Sequence, residues 1–180
     1  FTATKDPEPT VRMKAIQHLG YFARANDELT EHLIILLSDD HPNIRKQAAI
    51  SLGNSESSAA FPALLLVLDD SNAMVRRAAI TGLSMYLSHH RLPDYQNQVL
   101  EKMTDVLVNR CRRYEDGLLK IEICKTLQQI DTPDSQELLL QLLEDVDFDV
   151  RKASILALGA FVSSKETLIP ILLPFLDDEH

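Results

Sequence analysis

The 180-residue chain has no tryptophan, two cysteines, five glycines, eight prolines and no long apolar run. Each shortage closes off a class of protein. Cys111 and Cys124 form neither a metal-type CxxC pair nor a disulfide framework, which points to a reducing compartment, cytoplasmic or nuclear. No apolar stretch approaches the roughly 18 residues a membrane-crossing helix needs. Few glycines and prolines and no low-complexity tract leave little room for flexible linkers. The opening FTATKD has neither the basic nor the apolar region of a signal peptide, and it lacks an initiator methionine, as in a chain cut from a longer one. A net charge of −9 argues against nucleic acid as a general partner. At 45% hydrophobic and 25% charged, the composition is that of a globular protein with a substantial core.

What the chain does have is repetition. DDHPNIRKQAAISLG at 39 echoes DPEPTVRMKAIQHLG at 6, DDSNAMVRRAAITGL at 69 and DVDFDVRKASILALG at 145. Arg12, Arg45, Arg76 and Arg151 each follow Val or Ile, at spacings of 33, 31 and 75 residues. The last interval divides into 44 and 31 if Lys120 is a fifth anchor. Asp6, Asp39, Asp70 and Asp145 each stand six residues before an anchor. Apolar residues follow the anchors at helical spacing, and Gly20, Gly53 and Gly159 end the runs, as a helix terminus or a close helix contact requires.

Leucine-rich stretches alternate with these runs: LTEHLIILL at 29, AAFPALLLVL at 59, ELLLQLLED at 137 and TLIPILLPFL at 167. They lack the strict alternation of strands, and Asp27, Ser57, Ser58, Asp134 and Ser164 precede them as expected N-caps. The unit is therefore a first helix (A), an acidic turn and a second helix (B), repeated about every 31 residues. An ordinary helical bundle is the alternative, but bundles have no reason to repeat a sequence pattern. The expected B segments are 11–24, 43–53, 74–87, 118–130 and 150–162. The fourth unit departs from the rest, with Tyr114 for the aspartate, Lys120 for arginine and Gln128 for glycine.

Pro62, Asp70, Val75 and Arg76 together resemble the HEAT-repeat pattern, part of the armadillo-like superfamily. Pro170 precedes Asp178 by the same eight residues that separate Pro62 from Asp70. The LL-x-D…VR-x-A phrasing is most similar to the repeat subtype of phycobilisome lyases. The resemblance spans essentially the whole chain and implies an all-α solenoid of about five units, residues 1–180, with B helices lining its concave side. The chain opens in a B helix and closes in an A helix at about 164–176, so it reads as part of a longer array, with self-association through uncapped ends expected.

The resemblance leaves function open, because HEAT arrays serve many tasks. Iron hydroxylases similar to this subtype carry His-Glu dyads; here Glu31-His32 and Glu179-His180 stand in reverse order. Related DNA glycosylases use stacking aromatics, and tryptophan is missing. No serine, cysteine and histidine are arranged as a nucleophile with its base. The expectation is a non-catalytic protein-interaction scaffold with no cofactor and no metal. Phycobilisome-lyase-like bilin handling and nucleic-acid binding are the alternatives. Cys124 reads as core, whereas Cys111, flanked by Arg110, Arg112 and Arg113, reads as the more accessible thiol of lowered pKa.

The repeated charges divide into two sets. Asp6, Arg12, Asp39, Arg45, Asp70, Arg76, Lys120, Asp145 and Arg151 are expected to form a structural ladder, each turn aspartate bonding a neighbouring repeat's arginine or backbone and capping the next helix. The B segments hold 11 of the 18 basic residues and one acid, Glu122. Beyond the anchors, Lys14, Lys46, Arg77, Lys125 and Lys152 have no evident structural task and are the expected concave partner-binding set; Arg24 is a sixth cation without one. Lys46, Arg77 and Lys152 each follow an anchor directly, forming a row suited to an acidic or extended protein segment. A second, weaker candidate is the insertion at 89–113, read as a long loop with His89, His90, Arg91, Arg110, Arg112, Arg113 and Tyr114, beside Tyr95, as interface types.

Overall fold

A computed structural model describes residues 2–89, 96–161, 169–171 and 173, with the side chains of 96–102 left aside. His90, Arg91, Tyr95, Ser164 and most of the last expected A helix lie outside the described residues. The protein is all-α, of the α-solenoid class, and no strand occurs among the described residues. Nine α-helices are described: α1 Pro9–Gly20, α2 Asp27–Leu36, α3 Pro42–Leu52, α4 Ala60–Val67, α5 Ala73–His89, α6 Gln96–Arg113, α7 Gly117–Leu127, α8 Pro133–Leu142 and α9 Phe148–Gly159. They fall into two compact units, residues 1–97 and 98–180.

In the first unit the B helices α1, α3 and α5 pack side by side, and the A helices α2 and α4 pack against α3 and α5. Ile16, Leu33, Ile44, Leu52, Leu64 and Ile80 form its fully buried core. In the second unit α7 packs on α9 and α8 on α9, around Leu119, Ile123, Leu127, Leu139 and Leu158. The residue before four of the five anchors explains the pairing, Val11 before Arg12 being 41% exposed. Ile44, Val75, Leu119 and Val150 are buried, so the next side chain, turned about 100° around the helix, emerges at the turn.

Glycine serves close packing here. A side chain at Gly53 would lie 2.7 Å from the Gly82 carbonyl oxygen, and one at Gly82 would lie 2.5 Å from that of Ala49. These positions let α3 and α5 approach backbone to backbone. Gly159 has no such neighbour among the described residues.

Helix starts differ in detail from expectation. Asn26, not Asp27, caps α2 through Leu29 N–H, and Thr132 with Ser135 forms the capping box of α8 ahead of Asp134. Ser57 and Ser58 do not cap α4, whose start has no side-chain cap. B segment 11–24 is shorter than expected: α1 ends at Gly20 and Arg24 lies in a separate turn of 3-10 helix, Ala23–Ala25.

The larger correction concerns 89–113. Gln96–Arg113 is an 18-residue helix, the A helix of the fourth repeat, not a long loop. Met103, Leu107 and Cys111 recur every fourth residue and are buried. That spacing marks an amphipathic helix with too few leucines to stand out beside its neighbours.

Candidate functional site

Each anchor arginine holds the carbonyls of its own turn, and Arg12 and Arg45 also reach the aspartate of the next. Arg45 Nη1 donates to the carbonyls of Asp39 and Asp40 in its own turn, at 2.8 and 3.2 Å. Its Nε and Nη2 donate to both carboxylate oxygens of Asp70 in the next turn, at 2.7 and 2.9 Å. Arg12 holds the carbonyls of Asp6 and Pro7 and reaches Asp39 at 3.2 Å. Arg76 and Arg151 bind the carbonyls of Asp70 and Ser71 and of Asp145 and Val146. Lys120 Nζ reaches Asp145 at 2.6 Å.

The turn aspartates close turns; they do not cap helices. Asp6, Asp39, Asp70 and Asp145 each accept the backbone N–H two residues on. Burial alone would raise the Asp70 and Asp145 carboxyls. Hydrogen bonds from Arg45 and Asn72 N–H in one case, and from Lys120 and Asp147 N–H in the other, outweigh it and hold both below the usual range. The Asp145 hydrogen bond raises Lys120, and the Asp70 hydrogen bond raises Arg45.

The remaining cations divide by partner. Arg24 pairs with Glu56 at 2.7 Å, and Lys125 with Glu122 at 2.7 Å. Lys14, Lys46, Arg77 and Lys152 have no ion-pair partner among the described residues. Lys14 and Lys152 are exposed, while Lys46 and Arg77 are half-buried along their stems. Helices α1, α3 and α5 contain no acidic residue at all.

Beside Lys14 the first unit has an open cleft of about 490 Å³. Lys14, Gln17, His18, Tyr21, Gln47, Ile50, Ser51, Asn54 and Met85 line it with Gly20. Most of its lining was not singled out from sequence. The signal was available: Gln17 and Ile50 each lie five residues after an anchor, and Tyr21, Asn54 and Met85 each nine. Lys46 and Arg77 do not line the cleft; Lys46 adjoins Gln47, which does. Gln17 donates to Gln47 at 3.4 Å, so the amides form a polar seam between α1 and α3.

Of the 89–113 candidates His89, Arg110, Arg112 and Arg113 sit on helices and Tyr114 follows α6, while His90, Arg91 and Tyr95 lie outside the described residues. His89 ends α5 and is exposed. Arg112 donates to Gln141 at 3.3 Å, and the Arg113 guanidinium lies 5.5 Å from the Tyr114 ring centre. Arg110 is half-buried on α6 and already engaged. Cys111 contradicts its expected accessibility. It is 3% exposed on the packed face of α6, and burial pushes its thiol up to about 11 despite nearby Lys120 and Arg112. Cys124 is core as expected, its thiol pushed by burial to about 12. No group of three or more metal-ligating side chains occurs among the described residues.

Paired helices joined by an aspartate turn, with the second helix opened by an arginine, define a helical-repeat protein. The family profile described as HEAT repeats matches residues 2–84 and 104–180, and the chain belongs to that family. No curated protein matches it. Among solved structures it is similar to an engineered protein (18% identity, 99% of this chain and 88% of that one, TM-score 0.61). A designed armadillo repeat protein aligns at 15% identity over 99% of this chain and 91% of that one, TM-score 0.61. The complex of CpcE and CpcF of phycocyanin lyase from Nostoc sp. PCC7120 aligns at 20% identity over 93% of this chain and 78% of that one, TM-score 0.51. At these identities the likeness is one of fold. No described helix is long and apolar enough to cross a membrane.

Proposed function

We propose that the protein is a non-catalytic interaction scaffold that docks an acidic, extended protein segment on the B-helix face of the first unit. One observation carries this reading: α1, α3 and α5 contain no acid and present Lys14, Lys46 and Arg77, which have no ion-pair partner among the described residues, and Lys14 lines an open cleft. A cationic face on an otherwise acidic protein attracts carboxylates. The amides of Gln17, Gln47 and Asn54 supply donors and acceptors for a peptide backbone, and Tyr21 an aromatic platform. In the second unit Lys152 follows its anchor as Lys46 and Arg77 follow theirs. Cys111, 3% exposed, does not present the accessible thiol expected from sequence.

The test is a fluorescence-anisotropy titration with a labelled glutamate-rich peptide, run beside a single-stranded oligonucleotide of matched charge. Tighter peptide binding that weakens with salt and is lost in the Lys14→Glu/Lys46→Glu/Arg77→Glu protein is the expected result. Preference for the oligonucleotide moves the reading to nucleic acid. Peptide binding that survives the triple reversal rejects this face.

A further inference from the structure

The turn between α8 and α9 reads Glu144-Asp145-Val146-Asp147-Phe148-Asp149. Val146 is 98% exposed and Phe148 54%, and Leu118, near the start of α7, is 58% exposed. Two contacts place the start of α7 against this turn. Lys120 reaches Asp145, and a side chain at Gly117 would collide with the Asp147 carboxylate and touch Val150. Leu118 therefore stands on the same edge of the second unit as Val146 and Phe148.

The fold has no need of these apolar residues. Asp145 and Val150 do the packing and bonding in this turn, as Asp70 and Val75 do in the first unit. At the places of Val146 and Phe148 the first unit carries Pro7, Asp40 or Ser71 and Pro9, Pro42 or Ala73. Exposed apolar surface grouped on one edge is the mark of a contact site.

Charge selects the occupant. Glu144, Asp147 and Asp149 are exposed, alternate with the apolar side chains and have no ion-pair partner among the described residues. A purely apolar partner would strip water from these carboxylates without replacing it, and an acidic partner would be repelled. We infer that this edge is a second docking surface, independent of the B-helix face, for a basic segment whose apolar side chains seat on Leu118, Val146 and Phe148. Lysines or arginines between those side chains meet Glu144, Asp147 and Asp149.

The experiment titrates the full chain against a labelled peptide alternating leucine with lysine, beside serine–lysine and leucine–glutamate versions. The leucine–lysine peptide is expected to bind at least about tenfold tighter than either control. Val146→Ser/Phe148→Ser should weaken it by about tenfold or more while leaving the melting curve in place, since both side chains are exposed. Glu144→Gln/Asp149→Asn should weaken it and flatten its salt dependence. No binding of that peptide, equal binding of the serine–lysine version, or an unchanged affinity in Val146→Ser/Phe148→Ser overturns the proposal. So does self-association, seen by sedimentation, that Val146→Ser/Phe148→Ser abolishes; a second copy would then be the occupant.

Discussion

In the first unit Arg45 joins Asp70 through two nitrogens and its own turn through a third; in the second, Lys120 reaches Asp145, also 25 residues on, through one. The guanidinium is a planar fork that serves turn and neighbour together, whereas the ammonium is a point charge that serves the neighbour alone. The difference matches the local sequence. The lysine repeat has Tyr114 where the others have the turn aspartate, so its turn is built differently and Asp116 caps α7 through Leu119 N–H. The B-helix faces differ as well. In the first unit they hold no acid, and Lys14, Lys46 and Arg77 have no ion-pair partner among the described residues; in the second, where Lys152 is likewise without one, Glu122 neutralises Lys125 and Leu156 is exposed. One repeat pattern thus supports two surfaces of different chemistry, because the residues that hold the fold are not those that face outward.

The largest effect expected is at the Arg45 fork. Arg45→Ala leaves a mostly buried carboxylate with the Asn72 N–H but no counter-charge, and two carbonyls without their Arg45 donor, at a cost of about 2–3 kcal/mol in urea unfolding. Asp70→Ala should be coupled to it, the double variant costing less than the sum. Asp70 and Arg76, six residues apart in one repeat, should be closer to additive, because Arg76 donates to the Asp70 carbonyl oxygen, which the alanine keeps. Stronger coupling to Arg76 than to Arg45 would break this assignment.

Next comes the glycine contact. Gly53→Ala must displace the Gly82 backbone and should cost about 1–2 kcal/mol, whereas Gly159→Ala should be neutral. Equal costs would remove the distinction between close-packed and merely terminal glycines.

The two anchors can also be exchanged. Arg45→Lys should lose about 1 kcal/mol as the carbonyl bonds to its own turn go, while Lys120→Ala should cost no more than that. If Arg45→Lys is silent, the fork adds nothing to a point charge.

The smallest effect is in pH, where both pairs loosen in acid and part company only on the alkaline side. Asp70 and Asp145 have depressed pKa values, so their contribution is present above the ordinary carboxylate value of about 4 and is lost as pH falls below it, in both units. Lys120 is raised, so its contribution is present below about 10.4 and is lost as pH climbs past its elevated pKa. Arg45 stays charged there. Alkaline loosening, followed by circular dichroism, should therefore diminish in Lys120→Arg; equal loosening in the two proteins would contradict the assignment.

Much of this fold is legible in the amino-acid sequence because stacked repeats put the same demand on the same position. A buried Ile44, Val75 or Val150 must precede an arginine that reaches the turn, so the dipeptide recurs. Helix starts were less legible, since Asn26 and Thr132 compete with equally good caps one or two residues away. Helix α6 was missed because its buried stripe of Met103, Leu107 and Cys111 is mixed with charged residues, and the same misreading left Cys111 exposed. The cleft was missed for another reason. Gln17, Gln47 and Asn54 carry no charge, and a search keyed on lysine and arginine passes over amides whose placement depends on how α1 and α3 pack.

The central claim is that the anchor arginine holds the fold while the cations beside it are left for a partner. Parallel urea unfolding and peptide titration of Arg45→Ala and of Lys14→Glu/Lys46→Glu/Arg77→Glu tests it directly. The account predicts a loss of about 2–3 kcal/mol for Arg45→Ala, and a triple reversal that unfolds within about 0.5 kcal/mol of the parent yet no longer binds the glutamate-rich peptide. A triple reversal that loses stability as Arg45→Ala does would show that these side chains belong to the ladder, and would contradict the account.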